Sequence, residues 1–239
     1  MSRNLLDPTR EKEQMQFMTP FGPVIGHYKM GKEFLDFVNE PVDLHIDKSS
    51  DLTLKDYSPY TSGSISEELL MEDELLPKIG EFIKDLVANY WLYSMSRRSL
   101  ADASFNDDHD YTINVLRGWY ARQFKGEYNQ LCSSSGWLAG SMAVVGYLDV
   151  PKDIEKEWAT DWEGTTPSVG MTQFVWGNPD ELNSNNVFIK PQVGDLFIFP
   201  SNLQHIMYPF LNSSGEYRSF NLNLNLTSSL KEQTDEIST

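Results

Sequence analysis

One stretch of the chain concentrates residue types able to do chemistry. Gly194-Asp-Leu-Phe-Ile-Phe-Pro-Ser is followed by His205, and Arg218 lies 13 residues further on. A Gly-Asp turn feeds an apolar strand, Pro200-Ser201 ends it, and a strand carrying Arg218 can return beside the histidine. A neutral imidazole is a metal ligand, and a guanidinium clamps a carboxylate in two-point fashion. Converging in the mouth of a β-barrel, the two would serve a metal and an anionic co-substrate. Other ligand types are scarce: the chain has four histidines (His27, His45, His109, His205) and one cysteine, Cys132. His27 and His45 lack partner spacing and read as ordinary strand or surface residues. Asp107-Asp108-His109-Asp110 is a dense set of donors, but it reads as a solvated loop before a strand starting at Tyr111. Cys132 has only serines as close neighbours, so no base is at hand to make it a nucleophile. One thiol and one imidazole do not complete a metal site, and no catalytic residue is assigned.

The elements that must position these residues follow from periodicity. Thr19-Pro-Phe-Gly-Pro is a turn, and a first strand follows from Val24. Lys32 to Asn39 reads as a short helix. Residues 40–65 read as a loop, with short strands predicted at Val42–Ile46 and Leu52–Leu54. Ser64 with Glu67 forms a capping box, and Pro77 suits a first helical turn, so helical support is predicted over 64–96. Ile79, Phe82, Ile83, Leu86, Val87 and Tyr90 recur at helical spacing and should face a sheet. From Tyr111 the period becomes that of strands, predicted at Tyr111–Tyr120, Glu127–Leu131, Met142–Val150, Met171–Val175, Asn186–Ile189, Asp195–Phe199, Ile206–Phe210 and Tyr217–Leu226. Many short strands separated by Gly and Pro turns indicate a sandwich or barrel. On the last strand Leu222, Leu224 and Leu226 alternate with Asn221, Asn223 and Asn225, giving one packed face and one polar face that can line a cavity.

Composition narrows the classes. The 239 residues suit a single domain, and 40% hydrophobic with 13% aromatic residues is enough for a core. The expected layout is a polar N-terminal arm at 1–18, one domain at 19–227 and a polar tail at 228–239. The net charge of −16 argues against phosphate-driven nucleic-acid binding and against anionic membranes. One cysteine excludes an internal disulfide. The N-terminal residues lack the apolar run of a secretory signal, and no stretch is apolar enough to span a bilayer. A cytoplasmic setting is expected.

Gly194-Asp-Leu-Phe-Ile-Phe-Pro-Ser, His205 and Arg218 resemble the C-terminal motif of the 2-oxoglutarate/Fe(II)-dependent oxygenases, in the prolyl-hydroxylase-like branch common in bacteriophages. Leu116-Arg-Gly-Trp-Tyr-Ala-Arg-Gln-Phe-Lys-Gly-Glu-Tyr-Asn-Gln-Leu is similar to the strand pair before that family's iron site. Gly146-Tyr-Leu-Asp-Val-Pro is similar to the strand after it. The resemblance covers roughly residues 19–227. It implies a mainly β fold with helices: a double-stranded β-helix, or jelly roll, with N-terminal helices packed on one sheet. It also implies an Fe(II) held by two histidines and a carboxylate, with 2-oxoglutarate as co-substrate.

The same resemblance marks departures. The first two iron-ligand positions fall on Cys132 and Ser134, and neither His nor Asp occurs from Tyr128 through Tyr147. Of the implied metal ligands only His205 carries over. At the 2-oxoglutarate position the alignment has two registers. One places Tyr217 at the family's arginine and Ser219 at its serine, and the other places Arg218 at the arginine. Strand alternation makes the two readings opposite in facing. The expected function is that of an oxygenase-like protein that lost two of three iron ligands. It would be a non-catalytic binding or structural component, a phage virion component among the options, with no cofactor and with a protein partner. The alternative is an active or atypical 2-oxoglutarate-dependent hydroxylase that uses His205 with a non-standard ligand set, Fe(II) and 2-oxoglutarate.

Overall fold

The last strand organises the molecule because it alternates Leu and Asn. Its leucines must be covered on one side, and its asparagines face the other. In the computed structural model, which describes residues 15–19, 22–47, 53–60, 63–98, 109–134, 140–158, 168–178 and 184–230, both demands are met by a helix layer and two facing sheets. The strands are β1 (Gln16–Met18), β2 (Ile25–Lys29), β3 (Lys55–Asp56), β4 (Glu67–Leu70), β5 (His109–Gln123) and β6 (Asn129–Cys132). They continue as β7 (Met142–Asp149), β8 (Thr172–Val175), β9 (Asn186–Ile189), β10 (Asp195–Pro200), β11 (Gln204–Met207) and β12 (Tyr217–Leu230). The helices are α1 (Lys32–Asp47), α2 (Leu75–Arg98) and α3 (Ile154–Trp158).

The larger sheet runs β1-β2-β10-β7-β12-β5-β4-β3, and the smaller runs β6-β11-β8-β9. All their pairings are antiparallel. This is the mainly β jelly roll that the sequence implies. Phe220, Leu222 and Leu224 of β12 pack in one core with Ile79, Ile83, Val87 and Tyr90 of α2 and Val38 and Val42 of α1. Tyr217 packs in a second core with Phe174, Phe197, Phe199 and Phe210. Two cores on opposite faces of one sheet are what strand alternation demands of a buried central strand.

Several local expectations change. Glu67–Leu70 is strand β4, not the first turn of a helix. Glu67 lies opposite Arg122 of β5 and forms an ion pair with it, so an edge partner for β5 wins over the capping box. The helix starts at Leu75, with Pro77 in its first turn. Val42–Ile46 is helix, because α1 continues through Pro41 to Asp47. An interior proline costs about 3 kcal/mol. Against that, Val38 and Val42 are fully buried, and Asn39 and Asp43 one turn apart both accept from Arg218 Nη1. Leu54 lies outside any strand, which begins at Lys55, and Leu52 lies outside the described residues. Gln16–Met18 of the expected N-terminal arm is a strand, and Ser228–Leu230 of the expected tail completes β12. Residues 1–14 and 231–239 lie outside the described residues, as do Asp107 and Asp108 of the acidic cluster. His109 and Asp110 open β5 rather than lying in a loop before it. No described helix is long and apolar enough to cross a membrane.

Candidate functional site at the mouth between the two sheets

The residues that could do chemistry come to the space between the sheets through four strands. His205 lies on β11 with Cys132 of β6 directly opposite on one side and Phe174 of β8 on the other. Directly opposed antiparallel residues have Cβ atoms about 4.5–5.5 Å apart on one face, so the Cys132 thiol and the His205 ring share the mouth. Ser134 follows β6 as a half-buried residue. The His205 ring stands edge-on to Phe199, with centroids 5.1 Å apart. Burial pulls its imidazole below the ordinary value, which keeps it neutral at pH 7, and Nδ1 sits 3.4 Å from the Leu203 carbonyl.

The two registers on β12 are now distinguished. Tyr217, Ser219 and Asn221 line the cavity between the sheets. Arg218 points the other way: its Nε and Nη2 donate to Glu216, and Nη1 donates to Asn39 and Asp43 on α1. The expectation that Arg218 could clamp 2-oxoglutarate is therefore corrected. Arg218 ties α1 to the sheet, and Glu216 is shared with Arg122, whose Nε donates to it at 2.8 Å. The inward position belongs to Tyr217, whose hydroxyl donates to the Gly170 carbonyl at 2.7 Å.

Two further groups at the mouth, Tyr147 and Glu68, carry no signal in the sequence. Tyr147 of β7 is 2.5 Å from Thr172 Oγ1, and its ring meets that of Tyr217 at 6.3 Å. Burial raises both phenols above the ordinary range, so both stay protonated. Glu68 of β4 lies opposite Ala121, a cavity-lining residue, and is only 2% exposed. Burial, together with the Asp56 charge and against a hydrogen bond from Trp119, pushes its carboxyl up to about 7. Burial and the nearby Glu68 carboxylate push the Cys132 thiol up to about 11. Nothing in a Glu-Glu-Leu-Leu run says which glutamate turns inward. Pairing decides it, since Glu67 meets Arg122 on the helix side.

The remaining cavity measures ≈ 40 Å³, room for a few water molecules. Among the described residues no three His, Cys, Asp or Glu side chains gather as a metal-ligand group. The Oδ1 of Asn129, also on the cavity lining, is buried without a hydrogen-bond partner among those residues.

The motif that singled out the site is largely architectural. Gly194 takes a positive φ of 89° in the turn before β10, a conformation glycine adopts without strain. Asp195 closes that turn by accepting from the Gln192 N–H at 2.8 Å, and it also holds Lys29 Nζ and His27 Nε2. His27 stacks on Phe197 at 4.7 Å. It is a strand residue, as its lack of partner spacing indicates. His45 accepts from the Leu54 N–H at 3.2 Å and fastens the end of α1.

Residues 117–223 match the model of the family described as putative 2OG-Fe(II) oxygenase, so the resemblance to the 2-oxoglutarate/Fe(II) oxygenases extends over that span of sequence. No curated protein matches the chain. Among solved structures, a prolyl-4-hydroxylase from Pseudomonas putida is similar at 13% identity, covering 79% of this chain and 85% of that one, with a TM-score of 0.44. The viral collagen prolyl hydroxylase of Paramecium Bursaria Chlorella virus-1, solved as a 2OG complex, is similar at 16% identity over 84% and 94% of the two chains, TM-score 0.44. HygX from Streptomyces hygroscopicus, solved with nickel and 2-oxoglutarate, is similar at 11% identity over 84% and 81%, TM-score 0.42.

Proposed function

We propose that this chain is an oxygenase-like jelly roll that works without iron or 2-oxoglutarate, as a binding or structural component. The observation that carries this reading is the pair of side chains where the metal and the co-substrate would sit. Cys132, a protonated thiol, lies across from His205, and Tyr217, a protonated phenol bonded to Gly170, takes the inward place on β12. Fe(II) of this class needs two imidazoles and a carboxylate, and an anionic diacid needs a cation. One neutral imidazole, a thiol, a hydroxyl, an orphaned amide and the Glu68 carboxyl, which burial pushes up to about 7, do not supply the second imidazole, and no three His, Cys, Asp or Glu side chains gather among the described residues. The phage-type resemblance of the motifs favours a role in or around a virion, with a protein as partner.

The test is metal content and turnover. Purified protein incubated anaerobically with Fe(II) and desalted is expected to retain well under one iron per chain. With 2-oxoglutarate and O₂ it is expected to form no succinate above a His205→Ala control. Stoichiometric iron with His205-dependent succinate formation would return the chain to the active hydroxylases, with a non-standard ligand set.

A further inference from the structure

A second and wider concavity, ≈ 400 Å³, opens on the outer edge of the larger sheet and is lined by Lys55, Tyr57, Leu70, Leu76, Leu116 and Arg117. Strand pairing explains it. β4 pairs with β5 only through Glu67–Leu70 against residues 119–122. The chain then leaves at Met71, whose N–H still bonds the Gly118 carbonyl at 3.0 Å, and enters α2. Beyond that point residues 112–117 of β5 have β12 on one side. On the other side no strand among the described residues pairs with them. A strand edge without a partner strand is a template for another strand.

A bulge sits at the same place. Val115 pairs with Leu224 and Arg117 with Asn223, so Leu116 has no counterpart on β12 and stands 38% exposed. Bulges re-aim the side chains around them, and here an apolar side chain and a guanidinium come together on the cleft.

The charges differ from those elsewhere on the sheet. Arg122 and Arg218 each hold two carboxylates, Arg122 those of Glu67 and Glu216 and Arg218 those of Glu216 and Asp43. Arg117 has none within ion-pair distance among the described residues. It donates to the Tyr57 hydroxyl at 2.6 Å and lies over the Tyr57 ring at 5.4 Å. Lys55 also lacks an ion-pair partner among those residues, and Asp73 is the carboxylate on the lining. In a chain with 35 acidic and 19 basic residues, two cations that form no ion pair among the described residues, on a cleft with one carboxylate in its lining, are an anion-binding feature.

We propose that this edge takes an extended acidic peptide segment of a partner protein. The segment would add as a strand beside residues 112–117, with one carboxylate on Arg117 and Lys55 and an apolar neighbour against Leu116. The proposal does not depend on the loss of iron, because a jelly roll with a working metal site could carry the same edge.

The test uses the full chain and a short fluorescent peptide of alternating Val and Thr with one central Glu, together with its Gln twin. In fluorescence polarisation the Glu peptide is expected to bind about tenfold more tightly than the Gln twin, as a charge-assisted pair would give. Arg117→Gln is expected to bring it down to the twin's level, and Lys55→Gln to weaken it in part, with thermal unfolding confirming that each variant is folded. N-methylation of alternate peptide amides, tried in both phases, is expected to abolish binding in one of them. No binding of the Glu peptide at millimolar concentration would overturn the proposal. So would equal binding of the two peptides, unchanged binding in both variants, or full binding of both N-methylated peptides.

Discussion

The mouth between the sheets and the cleft at the sheet edge are built on the same strand, β5, and have opposite character. The mouth is ≈ 40 Å³ and the cleft ≈ 400 Å³. At the mouth every titratable group is driven toward its neutral form: His205 downward, and Glu68, Cys132, Tyr147 and Tyr217 upward, each with burial as the largest cause. On the cleft, Lys55 and Arg117 lie without a carboxylate in ion-pair distance among the described residues. A pocket that binds a divalent metal and a diacid depends on charges held out of water. At the mouth burial works against such charges, which supports the reading proposed above.

If the mouth is core and the cleft is surface, mutations in the two must differ in cost. Phe197 is 1% exposed and packs on Phe174, Tyr147 and His27. Phe197→Ala is expected to cost about 3–5 kcal/mol in a urea melt, the range for buried aromatics. Leu116→Ala is expected to stay within about 0.5 kcal/mol, as surface changes do. Similar losses in the two variants would erase the distinction.

A smaller but still large effect is expected where α3 holds the segment between β11 and β12. The Glu157 carboxylate accepts from the N–H groups of Leu211, Asn212 and Ser213 at 2.7, 3.0 and 2.6 Å. Burial alone would raise this carboxyl, but these bonds hold it below the usual carboxylate value. Glu157→Gln exchanges an acceptor for a donor and is expected to cost about 2–3 kcal/mol. A loss under about 0.5 kcal/mol would show that the 208–216 segment does not depend on this carboxylate.

A further effect is pH-dependent and belongs to Glu68. Its folded value of about 7 lies above the unfolded 4.5, so between those values the native chain holds a proton that the unfolded chain has released. From this group, stability is full below about pH 4.5, falls as pH rises toward 7, and stays low above it. Glu68→Gln mimics the protonated acid. It is expected to flatten that slope and to melt higher than the parent chain at pH 8, measured as thermal midpoints across pH 5–8. A slope that survives in the variant would assign the titration elsewhere.

Much of this architecture was legible in the sequence wherever side-chain period and burial agreed. Asn186–Ile189 is a strand with the expected bounds, and the Leu/Asn alternation of β12 gives its two faces because each leucine is covered by a helix and Asn221 lines the cavity. The face of α2 was legible for the same reason. The misreadings lie where a long-range partner outweighs a local rule. Arg122 makes Glu67 a strand residue, and the Arg218 contacts carry α1 past Pro41. Whether Tyr217 or Arg218 faces inward turns on a one-residue register, which depends on where β12 meets β5 and β7. Glu68 and Tyr147 were silent, since their roles come from the residues packed across from them. The edge cleft depends on a bulge at Leu116, visible only once β5 and β12 are paired.

Uptake of iron and 2-oxoglutarate at the mouth separates the two readings of this protein. Ligands that bind the folded chain raise its thermal midpoint by mass action. Anaerobic melts with and without saturating Fe(II) and 2-oxoglutarate are therefore expected to coincide, in the parent chain and in His205→Ala alike. A rise of several degrees that is lost in His205→Ala and kept in Arg117→Gln would place both ligands at the mouth and contradict the account.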